Sequence, residues 1–304
     1  VVGLTDDQWS RIRCVQDLYT IKINFDLGAN MAKNKTNFGL LPYRVLVGGM
    51  YSLHQLKLEY DEHNILNLSG VQQEEVERVV STYMVQGKQI DYDADGHRPP
   101  LYRLISYSVN GGNLVLRLGK TDFGEYLATN VEHPEWREIY GDEVMSDALA
   151  FSVAAVTADN FLLWGKRSGK PADAAGAYHV LPSGHPHPPG SIGIWLYQEL
   201  EAEAGIQVDE ISDLICTGLV LSLWNTKPEL TFFLRASVTF AELQERKRTE
   251  GWEFAEVYGL LFTNTSVREW LADYKDRLVP SGHAAVLLAG RINFGDKWWY
   301  GAIL

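Results

Sequence analysis

Gly184-His-Pro-His-Pro-Pro-Gly-Ser-Ile-Gly-Ile-Trp-Leu-Tyr-Gln-Glu-Leu-Glu-Ala-Glu-Ala-Gly-Ile206 is the stretch on which the reading of this chain turns. Its first seven residues, rich in Gly and Pro, read as a loop. A helix is expected from Ile192 to Ala204, stopped by Gly205 at the position that favours left-handed backbone. On that helix Glu199 and Glu203 are four residues apart and share a face, while Leu196, Leu200 and Ala204 make an adjoining apolar face suited to a sheet. Two carboxylates on an anchored helix offer hard oxygen ligands to Mg²⁺, an ion that keeps waters and favours substrate phosphates. Such an ion can polarise a phosphoryl oxygen and activate water. Two glutamates at this spacing are, taken alone, more often a solvated helix face, so the surrounding sequence has to decide.

Strand signals flank the stretch on both sides. Upstream, Asn110-Gly111-Gly112 joins Leu104–Val109 to Asn113–Leu118 as a hairpin, and Leu149–Thr157 pairs with Phe161–Lys166. Tyr178–Leu181 is a short strand running into the loop. Downstream, strands are expected near Ile215–Leu223, Leu230–Val238 and Tyr258–Phe262, with a charged helix after Thr239. Thr265 is read as the cap of a helix to about Asp276, and Gly282–Ala289 as a last short helix. Nearer the start, Leu56–Tyr60 alternates as a strand and Ser69 caps a helix to about Val85. Thr5-Asp6-Asp7 reads as another helix start, and 30–37 as polar loop. The expected fold is an α/β sandwich, helices on both sides of a mixed sheet, preceded by a smaller α+β region. The division expected is 1–40 as an unassigned extension, 41–110 as the N-terminal α+β region and 111–304 as the main domain.

The 304 residues suffice for one large or two small domains, and 46% hydrophobic residues can bury a sizeable core. No apolar run nears the roughly 20 residues of a membrane helix, so no membrane role is expected. A net charge of −12 argues against non-specific nucleic-acid binding, and against an RNA-end-processing role. Cys14 and Cys216 match no metal spacing and suit buried thiols in a reducing, intracellular compartment, the cytoplasm ahead of the mitochondrion.

The full span from Gly184 to Ile206 resembles the Nudix box, with Gly184, Glu199, Leu200, Glu203, Gly205 and Ile206 at the motif's positions. Gly190 stands where the motif has Glu, Gln198 where it has Arg, and Ala202 where it has an acidic group. Leu114–Asn130, Ala155–Arg167, Leu181–Pro188 and Pro280–Arg291 are similar to the UDP-sugar-hydrolysing Nudix branch of animals. The resemblance covers about four-fifths of the chain and leaves out the first forty residues.

The resemblance implies a Nudix fold and Mg²⁺-dependent hydrolysis of the diphosphate in UDP-glucose or UDP-galactose, giving UMP and a sugar 1-phosphate, with Mn²⁺ as the substitute ion. Glu199 and Glu203 would be metal ligands, helped by the Gly184 carbonyl. A further carboxylate is expected from Glu250, Glu253 and Glu256, with Glu256 placed first and Glu253 second, as ligand or general base. For the diphosphate, Arg167 and Arg117 are chosen first and Lys166 after them, because arginine suits bidentate contact. For uracil, Tyr102, Tyr107, Trp164 and Tyr178 are candidates. His185 and His187 are read mainly as turn residues. ADP-ribose is a competing substrate, and a non-catalytic Nudix module in a larger assembly, motivated by Gly190, Gln198 and Ala202, is the alternative function. The N-terminal extension is where a protein partner would dock.

Overall fold

In the computed structural model residues 41–303 are described. The helix expected at Thr5, the loop at 30–37, Cys14 and the extension itself lie outside them. In chain order the elements are β1 (Tyr43–Tyr51), β2 (Leu56–Tyr60), α1 (Gly70–Val85), β3 (Pro100–Asn110) and β4 (Asn113–Asp122). Two short helices follow, α2 (Phe123–Tyr126) and α3 (Trp136–Tyr140). Then come β5 (Ala150–Val156), β6 (Phe161–Arg167), β7 (Tyr178–Val180), β8 (Ser183–Gly184) and α4 (Ile192–Glu199). The chain ends with β9 (Ile211–Ser222), β10 (Pro228–Ala236), α5 (Phe240–Glu245), β11 (Phe254–Leu261), α6 (Asn264–Tyr274), α7 (Pro280–Phe294) and α8 (Asp296–Ile303).

The main sheet runs β1-β9-β10-β5-β6-β11, with β7 added to β6 and β8 to β5. It is mixed: β10 lies parallel to β5, while β1 on β9, β9 on β10 and β11 on β6 are antiparallel. Strand alternation sends side chains to two faces. On one face Phe151, Val153, Leu163, Leu219 and Phe232 pack with Ile192, Leu196, Leu200 and Ala204 of the α4 segment. On the other, Ala154, Val156, Leu162, Trp164 and Phe233 pack with Val267 and Trp270 of α6 and Ala284–Ala289 of α7. The expected α/β sandwich with a mixed sheet is the observed architecture.

Local chemistry sets the ends. Ser69 caps α1, its hydroxyl and Gln72 bonding reciprocally with the backbone, as the sequence predicts. The Asn110-to-Asn113 turn closes the β3–β4 hairpin, with Gly111 and Gly112 both at positive φ. Elsewhere the structure corrects the reading. α6 starts two residues earlier than expected, capped by Thr263 and not Thr265. The helix expected over Gly282–Ala289 as the last is longer and is not the last, because Pro280 begins α7 at its first turn, the helix runs to Phe294, and α8 follows it. The division at residue 110 falls inside one hairpin: β3 and β4 lie on either side of it, and β4 also takes up β2 in a three-stranded sheet. β1, from the N-terminal region, is an edge strand of the main sheet. Among the described residues no helix is long and apolar enough to cross a membrane.

Candidate active site

The helix expected over 192–204 forms in two parts. α4 is capped by the Ser191 hydroxyl at Ile194 N and widens into a π-type turn over Leu200–Ala204. Gly205 ends it at φ 74°, in the left-handed conformation its sequence position implied. Apolar Leu196 and Leu200 hold this segment on the sheet, which carries Glu203 inward until it is only 2% exposed. The preceding loop is pinned in turn. Ser183 and Gly184 pair with Ser152 and Phe151 of β5. The Trp195 indole donates to the His187 carbonyl at 2.7 Å, and Tyr102 Oη donates to the Gly190 carbonyl at 2.7 Å. A Cβ at residue 190 would lie 2.4 Å from the Trp195 indole nitrogen, so glycine fits there and the glutamate of the motif would not without movement.

Glu203 Oε2 accepts from the Ser183 amide at 3.0 Å, while its Oε1 is buried with no hydrogen-bond partner. Glu199 stands beside it, and a side chain at 184 would press on its carboxyl at 3.2 Å. Ligand oxygens of Glu199, Glu203 and Glu250 all lie within 4.8 Å of one another. Burial, then the charges of Glu250 and Glu253, raise the Glu199 carboxyl to about 8. Burial, then Glu253 and Glu199, drive Glu203 far above the usual carboxylate range. Glu250 is raised as well, by burial and then by Glu253 and Asp91. Packed acids this unfavourable as anions form a site that a divalent cation would relieve. Three carboxylates and a bare buried oxygen suit a hard, oxygen-seeking ion.

These groups line one end of a cavity of about 300 Å³. Arg167 enters from the end of β6 because alternation puts Leu163 and Arg167 on the site face. Its guanidinium sits 3.3 Å from Glu253 and over the Phe254 ring at 5.7 Å, and its Nε is buried and unpartnered. Farther along, Lys227 is held 3.2 Å from both Asp173 and Glu229. Asp173 also accepts from Tyr126 Oη at 2.7 Å, and Ser152 Oγ donates to Glu229 at 2.8 Å. Burial alone would raise Asp173; the Lys227 charge overrides it and brings the carboxyl down to about 2. His179 and His185 both line the cavity, and burial first, then nearby cations, keeps both imidazoles neutral.

Of the residues chosen from sequence, Gly184, Glu199, Glu203, Arg167 and Glu253 meet in this cavity region. Glu256, placed first among the further carboxylates, does not: it is exposed and accepts a hydrogen bond from Tyr258. A β-bulge between Phe254 and Glu256 shifts the alternation of β11 by one, turning Glu256 to the other side. Lys166 likewise follows Trp164 onto the opposite sheet face and is not in the cavity wall. Arg117 is 71% exposed on β4, 3.7 Å from Glu59, away from the site. None of Tyr102, Tyr107, Trp164 and Tyr178 lines the cavity; Phe123, Trp195 and Trp252 do. His185, read as a turn residue, is a cavity-wall side chain edge-on to Phe123 at 5.8 Å. Sequence reasoning missed Asp173, Lys227 and Glu229; no local motif marks them, although Lys227 and Glu229 bracket Pro228, where β10 begins.

No family model matches the chain. Among curated proteins it is similar to the uridine diphosphate glucose pyrophosphatase NUDT22 of Bos taurus, 26% identical over 228 residues, covering 64% of this chain and 78% of that protein. Its Homo sapiens counterpart of the same name is 25% identical over 231 residues, covering 66% and 76%. Among solved structures, the MutT protein of Methanosarcina mazei covers 48% of this chain and 94% of its own, at 16% identity and a TM-score of 0.34. Along about two thirds of its length this chain is similar in sequence to Nudix-type UDP-glucose pyrophosphatases.

Proposed function

We propose that the chain is a Mg²⁺-dependent pyrophosphohydrolase of a nucleoside-diphosphate sugar, UDP-glucose or UDP-galactose, yielding UMP and a sugar 1-phosphate. The observation that carries the reading is Glu203: a buried carboxylate with one oxygen fixed by Ser183, the other unpartnered, and Glu199 alongside. Glu199, Glu203 and the Gly184 carbonyl would hold the ion, with Mn²⁺ able to replace Mg²⁺. Bound there, the ion neutralises diphosphate charge and favours deprotonation of an attacking water.

The chain's own groups divide the remaining work. Arg167 lies in the cavity with an unpaired buried Nε, suited to a non-bridging diphosphate oxygen. Glu253, 3.3 Å from that guanidinium, would take the proton of the water that attacks phosphorus as the bond to the leaving phosphate oxygen breaks. The cavity of about 300 Å³ is at the small end of the range for ligand sites, so it would enclose part of a nucleotide sugar. Similarity to proteins named UDP-glucose pyrophosphatase supports the choice of substrate.

The test is UMP release from UDP-glucose and UDP-galactose with Mg²⁺, run beside ADP-ribose and beside Glu203→Gln. Faster turnover of a UDP-sugar, abolished by the substitution, supports the proposal. Preference for ADP-ribose would reassign the base, and no turnover with no bound ion would leave a binding module.

A further inference from the structure

The metal-dependent reading leaves a second polar group of cavity side chains unused. Asp173 comes from the segment between β6 and β7, Lys227 from the turn ahead of β10, and Glu229 from β10, where it pairs with Ala150 of β5. Lys227 Nζ lies 3.2 Å from both carboxylates. Side-chain exposure rises from 1% at Glu229 through 9% at Lys227 to 18% at Asp173, so Glu229 backs the pair that meets the open cavity. An ammonium has three donors, and these two contacts leave one N–H of Lys227 without an acceptor among the described residues. His179 is nearby in the same wall and almost fully buried, its ring kept neutral by burial and then by the Arg167 and Lys227 charges. Its Nδ1 accepts from the Val180 amide at 2.8 Å, so the ring proton sits on Nε2, which likewise meets no acceptor among the described residues.

The balance of charge selects the ligand. Two carboxylates against one ammonium repel a phosphate, so the diphosphate belongs with Arg167 and the glutamate helix. A flat base needs a bare ring face, and Phe123, the aromatic wall residue beside His185, is already packed by Tyr126 at 5.7 Å and by His185 at 5.8 Å. Fixed acceptors beside spare N–H donors match a row of hydroxyls, each able to donate once and to accept. We infer that this part of the cavity holds the hexose of the nucleotide sugar, its ring hydroxyls donating to Asp173 and accepting from Lys227 and from His179 Nε2. Glu229 then serves to position Lys227 as a hydrogen-bond donor whose charge is already balanced. The inference deepens the nucleotide-sugar reading above and rests on it.

The two halves of the substrate, glucose 1-phosphate and UMP, are titrated separately into the full chain by calorimetry with Mg²⁺ present. Asp173→Asn, which leaves Lys227 one carboxylate and so keeps the buried charges balanced, is expected to weaken glucose 1-phosphate about tenfold and to leave UMP within about twofold. KM for UDP-glucose should rise in step, with a smaller change in kcat. Loss of UMP binding alone would put the base here, and an equal loss or no loss for both halves would make the cluster purely structural; each overturns the inference. A second measurement needs no variant: wild type should bind glucose 1-phosphate at least about tenfold tighter than inorganic phosphate, and equal affinities, or no binding of either, would show that the hexose is not gripped. A chain that grips glucose 1-phosphate through Asp173 but splits no nucleotide sugar would instead count against the proposed reaction and leave the sugar site standing.

Discussion

The Ser183 amide donates to Glu203 Oε2 at 3.0 Å, and through that bond the edge strand β8 and the glutamate helix hold each other in place. The bond uses one carboxylate oxygen and leaves the other for a ligand. Glu203→Gln preserves an acceptor for Ser183 but removes the charge. We expect a folded protein with kcat reduced about 1,000-fold, corresponding to several kcal/mol of lost charge stabilisation. Steady-state UMP release and a thermal melt read both halves of this expectation, and unchanged turnover would contradict it.

Of Arg167 and Lys227 in the cavity wall, Arg167 is the one at the acidic end, 3.3 Å from Glu253. Arg167→Lys keeps a positive charge but loses the planar fork, and should raise KM for the nucleotide sugar about tenfold with a smaller change in kcat. Arg117→Lys, out on the exposed face of β4, should leave both constants alone. Equal effects from the two would remove Arg167 from the substrate site.

Lys227 is almost fully enclosed between Asp173 and Glu229. Lys227→Met would leave two buried carboxylates without their cation, and the expected loss of stability is about 3–5 kcal/mol. Urea denaturation at neutral pH measures it. Relief at low pH is the signature: protonating Asp173, once its cation is gone, should narrow the gap from wild type.

Acid should destabilise the protein through its buried imidazoles. Burial, then Lys275, lowers His283 from 6.5 to about 4. The unfolded chain thus gains a proton as pH falls below about 6.5, while the folded chain refuses it until about 4. Stability is lost across that window, by about 3 kcal/mol for this one residue. His283→Leu should flatten the pH dependence of the unfolding free energy by about one proton between those limits. An unchanged slope would show that His283 does not carry it.

Much of this arrangement is legible in the sequence where the chemistry is local. Gly205 reveals its positive φ because few other residues end a helix that way, and Ser69 reveals α1 through the acceptor it offers. Glu199 and Glu203 are readable because four residues make about one turn. Thr265 misleads because Thr263, two residues earlier, is an equally good cap and packing decides between them. Glu256 misleads because one bulge reverses the side to which β11 sends it, and strand periodicity alone contains no sign of the bulge. Asp173 is placed by a loop docking on a distant element, through Lys227, so spacing along the chain does not reveal it; Glu250 belongs to the acidic run that the sequence shows, but its dock on Ala202 does not follow from spacing.

The strand Tyr43–Tyr51 shields the flank of Ile211–Ser222, with Gly218 so close to the Val47 carbonyl that a Cβ there would lie 2.1 Å from it. Residues from the same N-terminal half, Gln89, Asp91 and Leu101, form part of the cavity wall. A fragment beginning at residue 111 would therefore lose one side of its own pocket and bare a long hydrogen-bonding ribbon, inviting sheet-to-sheet aggregation. What looks in the sequence like an appendage is a structural part of the body that carries the cavity.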